Sequence, residues 1–243
     1  MLMIKRLFAG LGLGCLLLSL AACEVHFDGG DYVKGSGDVI SKDIETAEFT
    51  QLVLKSSADV EIKVGPSQSV KITADDNLIE MFSFDVDDKT LIIDHKGSYS
   101  TRSVTLVEIT VPQLEVIAIK GSGEIVVDDV DGDEFIALIS GSGDIVLRNL
   151  QVSNLELEID GSGDIEVDGK TQNLHAEVNG SGDIDLLKLA AKSAQVYIAG
   201  SGDIDVNASE SLKAKVNGSG DIRYLGSPVL TTKVNGSGDI VQI

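Results

Sequence analysis

Gly180-Ser181-Gly182-Asp183-Ile184 is one copy of a pentapeptide whose recurrence decides the fold. Gly-Ser-Gly-Asp, or once Gly-Ser-Gly-Glu, begins at Gly121, Gly141, Gly161, Gly180, Gly200, Gly218 and Gly236, so successive copies stand 20, 20, 19, 20, 18 and 18 residues apart. A period of that size, with one glycine turn and two short apolar runs per unit, describes one rung of a solenoid that stacks on its neighbours.

The flanks of the motif fix the element type. Before it, Leu155, Leu157 and Ile159, then Leu174, Ala176 and Val178, then Ala194, Val196 and Ile198 alternate with polar residues. After it, Ile145 and Leu147, Ile165 and Val167, Ile184 and Leu186, and Ile204 and Val206 do the same. Period two on both sides of a glycine corner means strand, bend, strand, with one face buried. Continuous helices are excluded, because the spacing is not 3.6 and Gly-x-Gly recurs too often. The expected fold is all-β: a parallel β-helix with rungs of about 18–20 residues, wound right-handed, with a less regular N-terminal β region.

The 243 residues carry a formal charge of −20, spread along the chain. Such a surface repels phosphate backbones, so no nucleic acid is expected as a partner. With six Phe, four Tyr and no Trp, the core must be thin layers of Ile, Val, Leu and Ala, which suits a narrow solenoid.

Residues 1–22 read as an export signal: Lys5 and Arg6, the apolar run Leu7 to Leu20, then Leu20-Ala21-Ala22-Cys23. The run is too short for a comfortable membrane span. The four residues ending at Cys23 resemble the lipobox of bacterial lipoproteins, which implies lipidation of Cys23 and attachment to the membrane through it. An ordinary signal peptide leaving a free cysteine is the alternative. Removing Lys5 and Arg6 from the 19 basic residues leaves 17 against 39 acidic ones, a formal charge of −22. Cys15 is lost with the signal, so no intramolecular disulfide is possible. Glu24 rather than aspartate follows the cysteine, which points to the outer membrane of a Gram-negative envelope.

Residues 23–43, with Asp28-Gly29-Gly30-Asp31 and Gly35-Ser36-Gly37-Asp38, read as a lipidated tether. Residues 44–112 lack the glycine corner but keep the strand pattern, and read as irregular rungs or a cap. Within them Leu52, Leu54, Val60 and Ile62 flank Ser56-Ser57-Ala58-Asp59 as a diverged rung with a looser corner. Residues 113–243 are the regular array. Its final motif stands just before Ile243, and that end is expected to mediate self-association.

With the leader, Gly35-Ser36-Gly37-Asp38-Val39 and the later Gly-Ser-Gly-Asp-Ile repeats in view, the chain resembles the family of the putative auto-transporter adhesin, head GIN domain, over roughly Tyr32 to Ile243. The resemblance implies an exported parallel β-helix. It does not bring an established biochemical role.

Stacked at about 4.8 Å per rung, Glu124, Asp144, Asp164, Asp183, Asp203, Asp221 and Asp239 would form one outward line of carboxylates. Neighbours at that spacing repel by about 1 kcal/mol in water. One compensation is structural: each carboxylate accepts hydrogen bonds from its own Gly-Ser-Gly bend or a stacked serine. The other is calcium shared between adjacent carboxylates. The structural role is preferred, because the calcium-binding Gly-Gly-x-Gly-x-Asp repeat has a nine-residue period that is not seen here. Serines from Ser122 to Ser237, and Asn179, Asn217 and Asn235, are expected to stack as hydrogen-bonding ladders.

No catalytic residue, cofactor or bound metal is expected. The only histidines are His26, His95 and His175, and the chain after Cys23 has only Arg102, Arg148 and Arg223 as arginines, too few for the base and cation clamps of a polysaccharide-cleaving β-helix. The reading is a cell-envelope lipoprotein with a non-catalytic, adhesin-like or structural role, binding an envelope protein or glycan through its acidic surface. The alternatives are a polysaccharide-acting enzyme and a calcium-binding envelope protein.

Overall fold

The computed structural model describes residues 32–243. The lipobox, Cys23 and His26 lie outside them. Alternation and glycine corners produce what they predict, a β-solenoid. The strands Asp144–Gly161, Ile165–Gly180, Ile184–Gly200 and Ile204–Gly218 each make most of a rung, and each pairs in parallel with the next. Inward residues form vertical columns. Ile125, Ile145, Ile165, Ile184, Ile204 and Ile222 are in register, as are Ile119, Ile139, Ile159, Val178, Ile198 and Val216, and all are buried. Each such aliphatic side chain contributes about 1.5–3 kcal/mol by leaving water, and no disulfide is needed to hold the stack.

Uneven spacing of the motif is absorbed away from it. The change from 20 to 19 residues falls between Leu147 and Leu150, and the change to 18 between Leu186 and Ser193, both at the opposite corner of the rung. The Gly-Ser-Gly corners therefore stay aligned. They must, because a Cβ on Gly182 would collide with the carbonyl oxygen of Gly163 one rung below. Only glycine lets backbones approach this closely.

The N-terminal part contains both rungs and a cap, but not wound in chain order. Gln51–Leu54 pairs in parallel with Thr90–His95 on one side and Val116–Ile119 on the other. Asp59–Val64 is likewise held between Leu106–Val111 and Glu124–Asp128. The rung containing Ser56-Ser57-Ala58-Asp59 thus lies between two later passes of the chain. Beyond it the stack ends in antiparallel strands: Phe82–Asp87 on Thr90–His95, Ser69–Asp75 on Leu106–Val111, and Val39–Asp43 on Ser69–Asp75. Reversing direction there covers parallel edges that would otherwise template another chain.

The segment expected to be tether belongs to the fold from Tyr32 onward. Tyr32–Lys34 pairs with Ser98–Ser100. The Ser36 hydroxyl donates to Asp76 at 2.6 Å and its amide to Asn77 at 2.9 Å. Gly35 lies where any Cβ would strike the Asp75 carboxylate. At the opposite end the strand Val229–Gly236 is exposed throughout, with Val229, Leu230 and Val234 open to solvent.

The closeness of the corners generates a test. Gly182→Ala should lower stability by roughly 3 kcal/mol, a fall of roughly 6–12 °C in Tm. Gly132→Ala, at a glycine with no heavy atom near its would-be Cβ, should melt close to the parent. Differential scanning calorimetry of the two variants measures both.

Candidate functional site

The corner carboxylates do form one line, and their hydrogen bonds differ from expectation. Asp144 Oδ1 accepts from the Asp164 amide at 2.9 Å, Asp164 from Asp183 at 2.8 Å, and Asp183 from Asp203 at 2.7 Å. Asp203 accepts from Asp221 and Asp221 from Asp239, both at 2.8 Å. The donor is the next rung's aspartate amide, not an amide of the carboxylate's own bend or a serine hydroxyl. The cause is register: stacked corners place each amide over the side chain below. The backbone carbonyls close the pattern in return, with the Ile145, Ile165, Ile184, Ile204 and Ile222 amides donating to the Asp164, Asp183, Asp203, Asp221 and Asp239 carbonyls.

A hydrogen bond to a charged acceptor contributes about 1.5–3 kcal/mol net, against about 1 kcal/mol of repulsion between exposed neighbours. The bonds win. Glu124 shows what one extra methylene does: the Asp144 amide turns to the Gly123 carbonyl at 3.3 Å instead. Asp59 also belongs to the line, its Oδ1 receiving the Glu124 amide at 3.4 Å. The signal for Asp59 was its place after Ser56-Ser57-Ala58, but only the register makes it a neighbour of Glu124.

Of the serines, the backbone amides from Ser142 to Ser237 bond the rung below. Asn235 donates to Asn217 at 2.8 Å, whereas Asn179 faces Asp160 and Ala199 and has no asparagine in register. Two further asparagine contacts went unread in sequence. Asn173 donates to Asn154 at 2.9 Å, and at the second corner Asn149 bonds Asp129 and Asp168.

On the side away from the glycine corners an open groove of about 530 Å³ crosses several rungs, with Gln151, Lys170, Thr171, Gln172, Lys192 and Ser209 on its walls and floor. Among the described residues neither lysine has an ion-pair partner. The groove offers the amides of Gln151 and Gln172 and the ammonium groups of Lys170 and Lys192, with the Asp131 carboxylate also on its lining, while the Thr171 and Ser209 hydroxyls donate to backbone carbonyls of the chain itself. Its location was hidden in the sequence because it follows the corner where rung length varies.

Among the described residues the arginines and histidines lie apart from one another, and two of the arginines face aspartates. Arg223 is bidentate to Asp205 at 2.6 and 2.9 Å, which raises its pKa, and Arg148 stands 3.7 Å from Asp128. Arg102 borders a separate cavity beside Asp75. The Asp75 carboxyl is held below its usual range by hydrogen bonds from Thr101 and Ser103. His95 packs between Phe82 and Tyr99, and His175 against Tyr197. Among the described residues no three His, Cys, Asp or Glu side chains gather where they could hold a metal ion.

Residues 48–228 match the family "Putative auto-transporter adhesin, head GIN domain". The chain belongs to that family. The match leaves out Gly35 to Val39 and the last motif at Gly236. A crystal structure of a putative adhesin from Bacteroides fragilis is 27% identical, with a TM-score of 0.81 over 86% of this chain and 99% of its own. One of a putative lipid binding protein from Parabacteroides distasonis is 26% identical, with a TM-score of 0.74 over 88% and 100%. A putative adhesin from Parabacteroides merdae, 24% identical with a TM-score of 0.75, shares the fold. No curated protein matches.

Two outcomes follow from the ladder. Asp183→Asn keeps the acceptor and removes a charge, so it should melt within error of the parent or higher; Asp183→Ala should lose about 1–2 kcal/mol in chemical denaturation. Calcium and chelator should give superimposable melting curves, since the ladder is held by amides. A calcium-dependent shift of many degrees would show shared ions instead.

Proposed function

We propose that this GIN-domain protein is a lipid-anchored component of the bacterial cell envelope, on the outer membrane, with a non-catalytic, adhesin-like binding role. The observation that carries this reading is the groove across the rungs, a rigid polar surface presented by a scaffold whose corner carboxylates are occupied in holding it together. Amide and ammonium groups spaced at rung intervals suit an extended partner with a repeating polar backbone, such as an envelope glycan or a peptide strand. Affinity would arise from several weak contacts in series. The family description and the putative adhesins among the similar solved structures support a surface-binding role. Two of the three arginines a polysaccharide-cleaving site could draw on are paired with aspartates, which favours binding over cleavage.

Anchoring rests on Leu20-Ala21-Ala22-Cys23. Two or three acyl chains on the cysteine hold a body in water against a bilayer without a membrane-spanning helix. Fractionation of cells labelled with a palmitate analogue tests this: the parent should carry label and sediment with outer membranes. Cys23→Ser should lose both properties. A glycan and envelope-protein binding screen tests the rest, with saturable binding weakened by Lys170→Ala and Lys192→Ala expected, and turnover of a glycan contradicting it.

A further inference from the structure

On the sheet face that leads into the Gly-Ser-Gly corners, outward side chains form two columns. Over five rungs one runs Glu156, His175, Gln195, Lys213, Thr231, and the other Glu158, Glu177, Tyr197, Lys215, Lys233, with Ile136 and Leu138 continuing them on the side of Glu156 and Glu158. The register there is unbroken, so each column is a straight line of neighbours about 4.8 Å apart. Its sign reverses about the middle rung. Two acidic rungs lie on one side of Gln195 and Tyr197, and two basic rungs on the other.

The middle is aromatic. The His175 and Tyr197 rings lie 5.7 Å apart, and the Lys213 ammonium sits 5.3 Å from the Tyr197 ring centre. Within the chain the charges are poorly matched. Among the described residues, Lys213, Lys215 and Lys233 have no ion-pair partner, nor do Glu156 and Glu158. The Glu158 carboxyl is pushed up by partial burial and by Asp160, Glu177 and Glu156 beside it.

We propose that this face docks a second copy of the same chain, about a two-fold axis lying along the Gln195–Tyr197 strand. Such an axis keeps each residue's position along its strand and inverts the order of the rungs. Glu177 then meets the partner's Lys215, Glu158 meets the partner's Lys233, and each contact occurs twice. Tyr197 meets the partner's Tyr197 at the centre, where aromatic anchors contribute most. Asp160 faces the partner's Asn235, and Asn179 the partner's Asn217, so no like charges are opposed there. A face-to-face packing with the rungs in the same order would set Glu against Glu and Lys against Lys, so only the inverted arrangement is complementary.

Five rungs by seven residues cover roughly 550 Å² per copy, about 1,100 Å² in total, just below the range of stable interfaces and within that of weak ones. The dimer is therefore reversible. The net charge of each copy opposes association at long range, and physiological salt screens that repulsion beyond about 8 Å while close pairs persist.

The test is sedimentation equilibrium of the full-length protein in a density-matched mild detergent at physiological ionic strength. The parent should show a concentration-dependent monomer–dimer equilibrium. Glu177→Lys and Lys215→Glu should each weaken it about tenfold or more. The double variant Glu177→Lys/Lys215→Glu should recover it, because the facing pairs are restored with exchanged sign. These residues are on the surface, and unchanged circular dichroism would show that folding is not the cause. A protein monomeric at every concentration, a dimer unmoved by either single change, or a double variant no better than the singles would overturn the proposal. So would a dimer abolished only by changes at Val229 and Leu230, which would place the contact at the exposed end of the stack.

Discussion

The corner-to-corner approach of one rung to the next is the constraint on which the rest of the structure depends. At Gly182 and its equivalents the backbones come closer than any side chain allows. That approach sets each aspartate amide over the carboxylate below and each isoleucine amide beneath the carbonyl above. The same alignment carries the Ile145, Ile165 and Ile184 column into a continuous core. Glycine, aspartate and isoleucine thus recur together for one geometric reason. A short side chain is required at the carboxylate position, as Glu124 demonstrates by leaving the Asp144 amide to another acceptor.

Rigid alignment at one corner leaves the other corner free to vary. Residues are lost and gained between Leu147 and Leu150 and between Leu186 and Ser193, and the groove beside Lys170 and Lys192 lies on that irregular side. Scaffold and binding surface are therefore separated around the circumference of each rung. A side chain at Gly182 would strain the scaffold, whereas the surface is built from residues whose number already differs from rung to rung. This division suits a fold that the chain shares with solved structures at about a quarter sequence identity.

The regular array was legible because its period, its glycines and its alternation all specify one geometry. The N-terminal part was legible only as strands. Leu52, Leu54, Val60 and Ile62 announce a buried rung, but alternation carries no information about which later segment lies above it, and the chain places two later passes on either side. The stretch from Tyr32 to Asp43, expected as part of the tether, joins the fold because Ser36 finds its partners at Asp76 and Asn77, far away in sequence. The carboxylate line was foreseen and its donor was not, since a hydrogen bond between rungs exists only once register is known. The sign reversal on the Tyr197 face is of the same kind. Glu158, Glu177, Lys215 and Lys233 are unremarkable along the chain and become a pattern only as stacked neighbours.

Distances between equivalent corners test the central claim most directly. Nitroxide labels placed in pairs at the exposed positions Ser122 and Ser201, Ser122 and Ser219, and Ser122 and Ser237 can be measured by double electron–electron resonance. Four, five and six rungs of stacking predict about 19, 24 and 29 Å, rising by about 4.8 Å per copy of the motif. Distances that fail to rise with copy number, as they would if these segments folded back into an antiparallel sandwich, would contradict the account.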